Sequence, residues 1–196
     1  MKKIAIVALL SAFVAAPALA DNTGALYETV DLGQGNAKDA CSDFPSTISC
    51  STTTTAFRFN LGYQANQNIS LEAGYLDGGK INIGGTYLGV PVTGEYSMSG
   101  IQLSALGAYP ISSEVELLGK IGFASIKGKV TASASGFSTS TDHSNSNVAF
   151  GIGARYKASD KIAIRVMYED LGTIKVDNAG SGSKVTLLSA GLQFGF

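Results

Sequence analysis

Residues 183–196 read SKVTLLSAGLQFGF, and this stretch decides the fold. From Leu188 onward every second residue is apolar, and the residues between them are small or polar. A period of two is typical of a β-strand with one apolar face and one small polar face. An apolar strand at the open edge of a soluble sheet invites aggregation, whereas a strand that closes a barrel leaves no edge. We therefore interpret this stretch as the closing strand of a barrel whose apolar face meets lipid.

Seven earlier segments show the same alternation, at residues 26–33, 55–64, 69–75, 101–109, 115–123, 148–156 and 162–169. Short turns of a few residues alternate with four longer connections, at residues 34–54, 77–94, 131–147 and 172–182. The third of these is rich in Ser, Thr and Asn and is predicted to be a loop. The pattern predicts an all-β fold, an eight-stranded antiparallel transmembrane β-barrel with short periplasmic turns and long extracellular loops.

The composition excludes several classes of function. The 196 residues suffice for one domain, and 14 basic against 15 acidic residues indicate no nucleic-acid partner. A single histidine argues against a histidine-based metal or catalytic site, and no cofactor is expected. Residues 1–20 combine a basic start, an apolar run and a small-residue cleavage site, which is typical of a signal peptide. The barrel domain is therefore predicted to span residues 21–196.

Both cysteines, Cys41 and Cys50, lie in the predicted exported part of the chain. An oxidising compartment would join them in a disulfide, which closes a small loop and stabilises it by roughly 2–3 kcal/mol. Two free thiols are the less favoured alternative. A metal site is poorer still, because the segment offers two thiols and no nearby histidine.

The face opposite the apolar rows is mostly Gly, Ser and Ala with a few charges. A soluble lipocalin-like barrel, with its apolar rows inside, would need a denser charged surface than this. The long residues at interior parity are four acids and four bases, which can pair with one another in a narrow lumen. They are Asp31, Arg58, Glu72, Glu116, Lys120, Arg155, Arg165 and Glu169. Six of them are predicted to form an interior salt-bridge network: Glu72, Arg165, Arg155, Arg58, Lys120 and Glu116. We expect a plugged polar core rather than a water-filled pore.

Four stretches carry a resemblance to a known family: FNLGYQANQNISLEAG (59–74), IQLSALGAYPI (101–111), NVAFGIGARY (147–156) and KIAIRVMY (161–168). They resemble the outer membrane protein A family and its small single-barrel relatives. The resemblance implies residence in the outer membrane of a Gram-negative bacterium, among outer membrane lipid and lipopolysaccharide. The GLQFGF end, with Phe194 and Phe196, resembles the signal that the β-barrel assembly machinery recognises.

The resemblance also implies a network of interior salt bridges that blocks the lumen. Glu72 matches one acidic member of that network, and Arg165 matches its basic partner. Leu106 stands where a second lysine is expected, and Arg155 stands where the acidic partner of that lysine would be. The resemblance therefore implies that the second pair of the network is missing.

The favoured function is that of a non-enzymatic barrel whose outer loops serve adhesion, surface masking or envelope integrity, with a host-surface ligand as a possible partner. Residues 80–92 read KINIGGTYLGVPV and place apolar side chains beyond the expected membrane band. Two alternatives follow for this segment. The flanking strands extend as a hairpin above the membrane, or an exposed apolar edge adds a strand to a partner.

Two rival functions come from other classes. Asp142, His143 and Ser144 make a serine–histidine–acid set conceivable, as in a lipid-modifying barrel enzyme, although sequence neighbours seldom form a triad. A narrow pore would follow from an incomplete salt-bridge network and would conduct ions in a planar bilayer.

Overall fold

The computed structural model describes residues 23–38, 40–41, 47–87, 90–134, 137–174 and 182–196. The predicted signal peptide, residues 1–20, lies outside these ranges, so the predicted domain boundary stays a prediction. Within the described ranges there is no helix with the length and apolar character needed to cross a membrane.

The regular elements are nine strands: β1 Leu26–Lys38, β2 Ile48–Cys50, β3 Thr53–Gln64, β4 Ile69–Tyr87, β5 Val90–Pro110, β6 Val115–Ala134, β7 Phe137–Lys157, β8 Ile162–Ile174 and β9 Ser183–Gly195. Eight of them pair antiparallel with their neighbours along the chain, and β9 pairs with β1 to close the barrel. The short β2 stands outside the wall and, among the described residues, pairs with β4 alone. The predicted eight-stranded antiparallel β-barrel is confirmed.

The alternating apolar rows face outward. Leu103, Phe123 and Ile152 are 63%, 69% and 70% exposed, although the strand of each is paired with a neighbouring strand on both sides. Exposed aromatic side chains bound this apolar band at both ends. The belt at the turn end contains Tyr63, Tyr109 and Tyr156, and the belt at the loop end contains Phe57, Tyr75, Phe123, Phe150 and Tyr168. An apolar band between two aromatic girdles is the outer surface of a membrane barrel.

The prediction of a loop at residues 131–147 is wrong. β6 and β7 stay paired residue by residue up to Ala134 and Phe137, and β4 and β5 stay paired up to Tyr87 and Val90. The hairpin at the third connection escaped detection because both of its faces carry small polar residues, so no apolar alternation marks it. We call the four strand segments beyond the apolar band, residues 78–87, 90–99, 125–134 and 137–147, the outer extension.

Candidate functional site

Six charged side chains form a closed ring across the lumen. The ring joins, in order, Arg58, Asp31, Arg165, Glu72, Lys120 and Glu169, each paired with the next and the last with the first. All six are at most 5% exposed. Three acids and three bases leave the ring neutral, which is the condition for burying so many ions together.

The guanidinium groups make the best-aligned contacts of the ring. Arg165 donates to Asp31 Oδ1 and Oδ2 at 2.9 and 2.7 Å and to Glu72 Oε1 at 2.6 Å. Arg58 donates to Asp31 Oδ2 at 3.1 Å and also contacts Glu169. A planar fork of donors suits bridging between two carboxylates. These two arginines therefore tie together strands on opposite sides of the lumen.

Lys120 forms the weakest corner of the ring. Its Nζ lies 3.1 Å from Glu72 Oε2 and 3.0 Å from Glu169 Oε1, as an ion pair rather than as an aligned hydrogen bond. Lys120 also supplies the lysine that the family resemblance places at Leu106, because Lys120 on β6 is the register partner of Leu106 on β5. The lysine has the same height in the lumen on the neighbouring strand. Matching β5 alone to the family pattern misses this lysine, because the lysine lies on β6.

Neutral side chains brace the ring. Tyr27 Oη donates to Glu72 Oε1 at 3.1 Å, and Arg58 Nη2 donates to Ser189 Oγ at 3.3 Å. Asn60 Nδ2 donates to Asp31 Oδ2 at 3.2 Å. Each of these hydrogen bonds satisfies a donor or an acceptor of a charged ring member that would otherwise be buried without a partner.

Two of the predicted network residues lie apart from the ring. Arg155 donates to Glu116 Oε2 at 2.7 Å, and Lys157 Nζ lies 2.7 Å from Glu116 Oε1. Arg155 also donates to Gln193 Oε1 at 3.1 Å. This second cluster sits at the turn end of the lumen. Of the six predicted network residues, four belong to the ring, and Arg155 and Glu116 form the separate cluster. Asp31 and Glu169 complete the ring.

Apolar layers lie on both sides of the ring, so the core is polar only in part. The layer at the turn end contains Leu106, Ala108, Leu118 and Met167. The layer at the loop end is larger and contains Ala37, Ala56, Leu76, Ile81, Tyr96, Met98, Ala124, Ile126, Ala149, Leu171, Ile174, Val185 and Leu187. Moving an unpaired ion through such layers is costly. The arrangement favours a closed lumen over the narrow pore.

The loop between β1 and β3 lies on the outer extension. Cys41 and Cys50 form a disulfide, as predicted. The loop strand β2 pairs with β4, with Ile48 opposite Gly85 and Cys50 opposite Ile83. A Cβ atom on Gly85 would press against backbone atoms of the loop. The glycine is therefore what lets the loop backbone reach β4.

Replacing Gly85 by alanine is expected to loosen the disulfide loop. The added methyl group would collide with the backbone at residues 47 and 48, so β2 would shift from β4. We expect faster alkylation of Cys41 and Cys50 in a pulse of reductant, at unchanged barrel stability. Gly84→Ala is the control, since a Cβ there meets nothing within 4 Å. Equal alkylation rates in the two variants would contradict the expectation.

The proposed serine–histidine–acid set does not assemble. Asp142, His143 and Ser144 follow one another along β7, so His143 points to the face opposite the other two. Asp142 instead pairs with Lys127 at 2.5 Å, and this hydrogen bond lowers the pKa of its carboxyl group. The geometry gives the enzyme hypothesis no support at these residues.

The predicted assembly signal lies at the seam of the barrel. Phe194 stands on β9 between Glu28 of β1 and Ile162 of β8. The Phe196 amide donates to the Leu26 carbonyl at 3.0 Å. The seam thus contains both phenylalanines, and their role in recognition stays a prediction.

Comparison with known proteins agrees with this architecture. The family model of the OmpA-like transmembrane domain matches residues 20–196. Outer membrane protein A of Klebsiella aerogenes is 30% identical over 145 residues, which cover 69% of this chain and 37% of that protein. The Shigella flexneri protein of the same name is 28% identical over 137 residues, with 69% and 38% covered. The chain therefore spans less than two-fifths of the length of these relatives.

Solved outer membrane barrels share the fold. Neisserial surface protein A matches with a TM-score of 0.56 and 15% identity, over 87% of this chain and 97% of that one. Ail, the attachment invasion locus protein of Yersinia pestis, solved with the heparin analogue sucrose octasulfate, matches with a TM-score of 0.53 and 16% identity, over 87% and 99%. With the family model across the whole barrel, these likenesses show that the chain belongs to the OmpA-like transmembrane domain family and resides in the outer membrane of a Gram-negative bacterium.

Proposed function

We propose that this protein is a non-enzymatic outer membrane barrel that binds a partner at the cell surface through its outer extension. The observation that carries the proposal is the extension itself, in which four paired strands continue past the outer aromatic belt. Ten residues of strand correspond to about 33 Å along the chain. A role in envelope integrity alone would need no such projection, and the closed lumen offers no path for transport.

One edge of the outer extension is capped. The edge of β4 is paired with β2 at residues 83–85, where the disulfide loop lies over it. Nearer the barrel, Thr54 Oγ1 donates to the Lys80 carbonyl at 3.4 Å. Of the two alternatives for residues 80–92, the β4–β5 pairing favours the hairpin, and the capped β4 edge does not suit strand addition.

We call the other edge of the outer extension, residues 137–144 of β7, the open edge. β7 pairs with β8 only from Phe150 to Lys157, whereas β8 stays paired with β9 as far as Ile174. In the described part of the chain, no strand pairs with the second edge of residues 137–144. These residues read FSTSTDHS, without proline, lysine or a bulge to protect them. Proteins normally shield an exposed edge with such devices, so this edge suits the addition of a strand.

The geometry favours a foreign polypeptide over a second copy of the chain as the added strand. β7 is continuous from the open edge down into the barrel wall, where β8 occupies the neighbouring position. A second upright barrel would have to place its own β7 where β8 of the first barrel already lies. A free extended segment that approaches from outside the cell meets no such obstacle.

Lysine at the open edge is expected to reduce adhesion. Ser140 lies on β7 directly opposite Thr131 of β6, at the same height and on the same face. Ser140→Lys places a charge beside the incoming strand, whereas Thr131→Lys places the same charge on a strand already paired on both sides. Bacteria that display each variant are compared for attachment to host cells, and heat-modifiable gel migration confirms that the barrel is folded. Equal attachment by the two variants would refute strand addition at this edge.

A further inference from the structure

The two hairpins of the outer extension end side by side in apolar residues. The last register pair of β4 and β5 is Tyr87 with Val90, and the last pair of β6 and β7 is Ala134 with Phe137. Val92 on β5 is the register partner of Ala134 on β6, so the two ends are joined into one. We call these five residues the tip.

Phe137 is the most exposed apolar feature of the tip. Its side chain is 84% exposed, and no other large apolar side chain in the described part of the chain exceeds this value. It lies on the same strand as Phe150 of the belt at the loop end, roughly 40 Å further along β7. A cluster of apolar residues so far from the barrel's own membrane indicates a surface that another body covers.

The sequence behind the tip carries no charge. Residues 81–94 read INIGGTYLGVPVTG and residues 130–141 read VTASASGFSTST, without an acidic, basic or histidine residue. The nearest charged row contains Glu95, which is in register with Ser140 through β6 and pairs with Lys80 at 2.8 Å. The rows beyond it, at residues 137–139 of β7, measure roughly 10 Å along the strand.

This uncharged length matches the depth at which proteins dock into a membrane surface. Interfacial segments bury their apolar side chains about 5–10 Å into the boundary between headgroups and acyl chains. A charged group carried to that depth would lose hydration, and the tip brings none with it. Tyrosine, present in the tip as Tyr87, is enriched at this boundary in membrane proteins.

Backbone hydrogen bonding allows a shallow contact and opposes a deep one. β5 and β6 are paired on both sides as far as Val92 and Ala134, and Pro91 has no amide hydrogen to satisfy. The open edge of β7 keeps backbone groups that no described strand pairs, and such groups are costly in hydrocarbon. The tip therefore suits the hydrated surface of a bilayer rather than its interior.

A bilayer fits the tip better than a folded protein does. Protein interfaces surround an apolar centre with a polar rim that is matched by the partner. The residues around the tip supply hydroxyl groups but no charge for such a match. A lipid surface needs only apolar and aromatic side chains without charges behind them.

We propose that the tip docks into the surface of an apposed lipid bilayer, the membrane of another cell, whose headgroups need no net charge. Phe137 and Val92 enter the boundary between headgroups and acyl chains, and the row of Glu95 stays in water. This contact goes beyond strand addition at the open edge, because it requires no polypeptide on the other side.

The test uses the absence of tryptophan from the sequence. Phe137→Trp places a single fluorophore at the tip, and Ser144→Trp places one at an exposed position of the same strand, roughly 23 Å nearer the barrel. Each full-length barrel, folded in lipid nanodiscs, is mixed with protein-free phosphatidylcholine vesicles whose acyl chains carry bromine close to the headgroup. Bromine quenches a tryptophan that enters the vesicle surface, and heat-modifiable gel migration confirms folding.

Addition of vesicles is expected to quench Phe137→Trp and to shift its emission to shorter wavelength, and to leave Ser144→Trp unchanged. No quenching at Phe137→Trp, or equal quenching of both reporters, would overturn docking by the tip.

Flotation of the nanodiscs with the vesicles measures binding itself. Phe137→Ser is expected to reduce flotation several-fold, whereas Ser140→Lys, which blocks strand addition, is expected to float like the unsubstituted barrel. The two proposals can therefore fail independently. Undiminished flotation of Phe137→Ser would refute docking by the tip, and flotation only with vesicles that contain phosphatidylserine would refute docking through apolar contact.

Discussion

Replacing Arg165 by methionine is expected to lower the free energy of unfolding by about 3–5 kcal/mol, as removal of one partner from a buried ion pair does. Arg165 is 1% exposed and bridges Asp31 and Glu72. Without the guanidinium group, the carboxylates of Asp31 on β1 and Glu72 on β4 keep their charge and lose their shared partner. Urea unfolding in lipid vesicles, followed by heat-modifiable gel migration, measures the change.

A matched variant separates burial from charge. Lys127 pairs with Asp142 at 2.5 Å, yet both side chains are about half exposed. Lys127→Met should therefore cost much less, because an exposed ion pair is screened by water and contributes little to stability. Arg165→Lys keeps the charge but lacks the planar fork that reaches both carboxylates, so an intermediate loss is expected. If Arg165→Met and Lys127→Met had similar effects, the ring would not be what holds the lumen together.

The second large effect is expected for Gly191→Ala, which should destabilise the barrel by about 1–3 kcal/mol, the range for overpacking. Gly191 lies on β9 opposite Asp31 of β1, at the seam that closes the barrel. A Cβ there would press on the Val30 carbonyl and on Asp31. The backbone cannot give way without opening the seam, and Asp31 cannot move without leaving the ring. The same urea experiment measures the loss.

Gly119→Ala is the control for this effect, because a Cβ at Gly119 meets nothing within 4 Å. Both variants carry the same change in composition and in the entropy of the unfolded chain. The difference between them therefore reports the close approach at the seam. A Gly191→Ala barrel as stable as Gly119→Ala would show that the β1–β9 seam tolerates an added methyl group.

The sequence predicts the barrel because a strand between lipid and a polar lumen must alternate apolar and polar residues, and this alternation is visible in the sequence alone. Phe57, Leu61 and Tyr63 alternate with Arg58 and other inward residues, and this contrast survives without any knowledge of partners. The parity also predicts which charges lie inside. The eight interior charges are all buried. Membership of the family follows from the same rows.

The alternation of residues does not predict how the charged side chains pair inside the lumen. Parity places Glu72, Arg165 and Lys120 inside, but which base meets which acid depends on the stagger of strands that are distant in sequence. Leu76 and Ile126 also lie at inward parity, and their burial in an apolar layer follows from the height they reach on long strands. The outer extension is hidden for the opposite reason, since its faces lack a contrast between apolar and polar residues.

The continuity of β7 has a mechanical consequence. A strand bound along residues 137–144 would be pulled away from the cell roughly parallel to β7, so the force would act along the strands, at right angles to the hydrogen bonds of the new ladder. Bonds that lie across the direction of pull share the load and break together, whereas bonds opened from one end break one by one. The load would then pass down β7 and β6 into the closed wall. Flow acting on an attached bacterium would thus load the sheet in the direction in which its strand pairing resists force best.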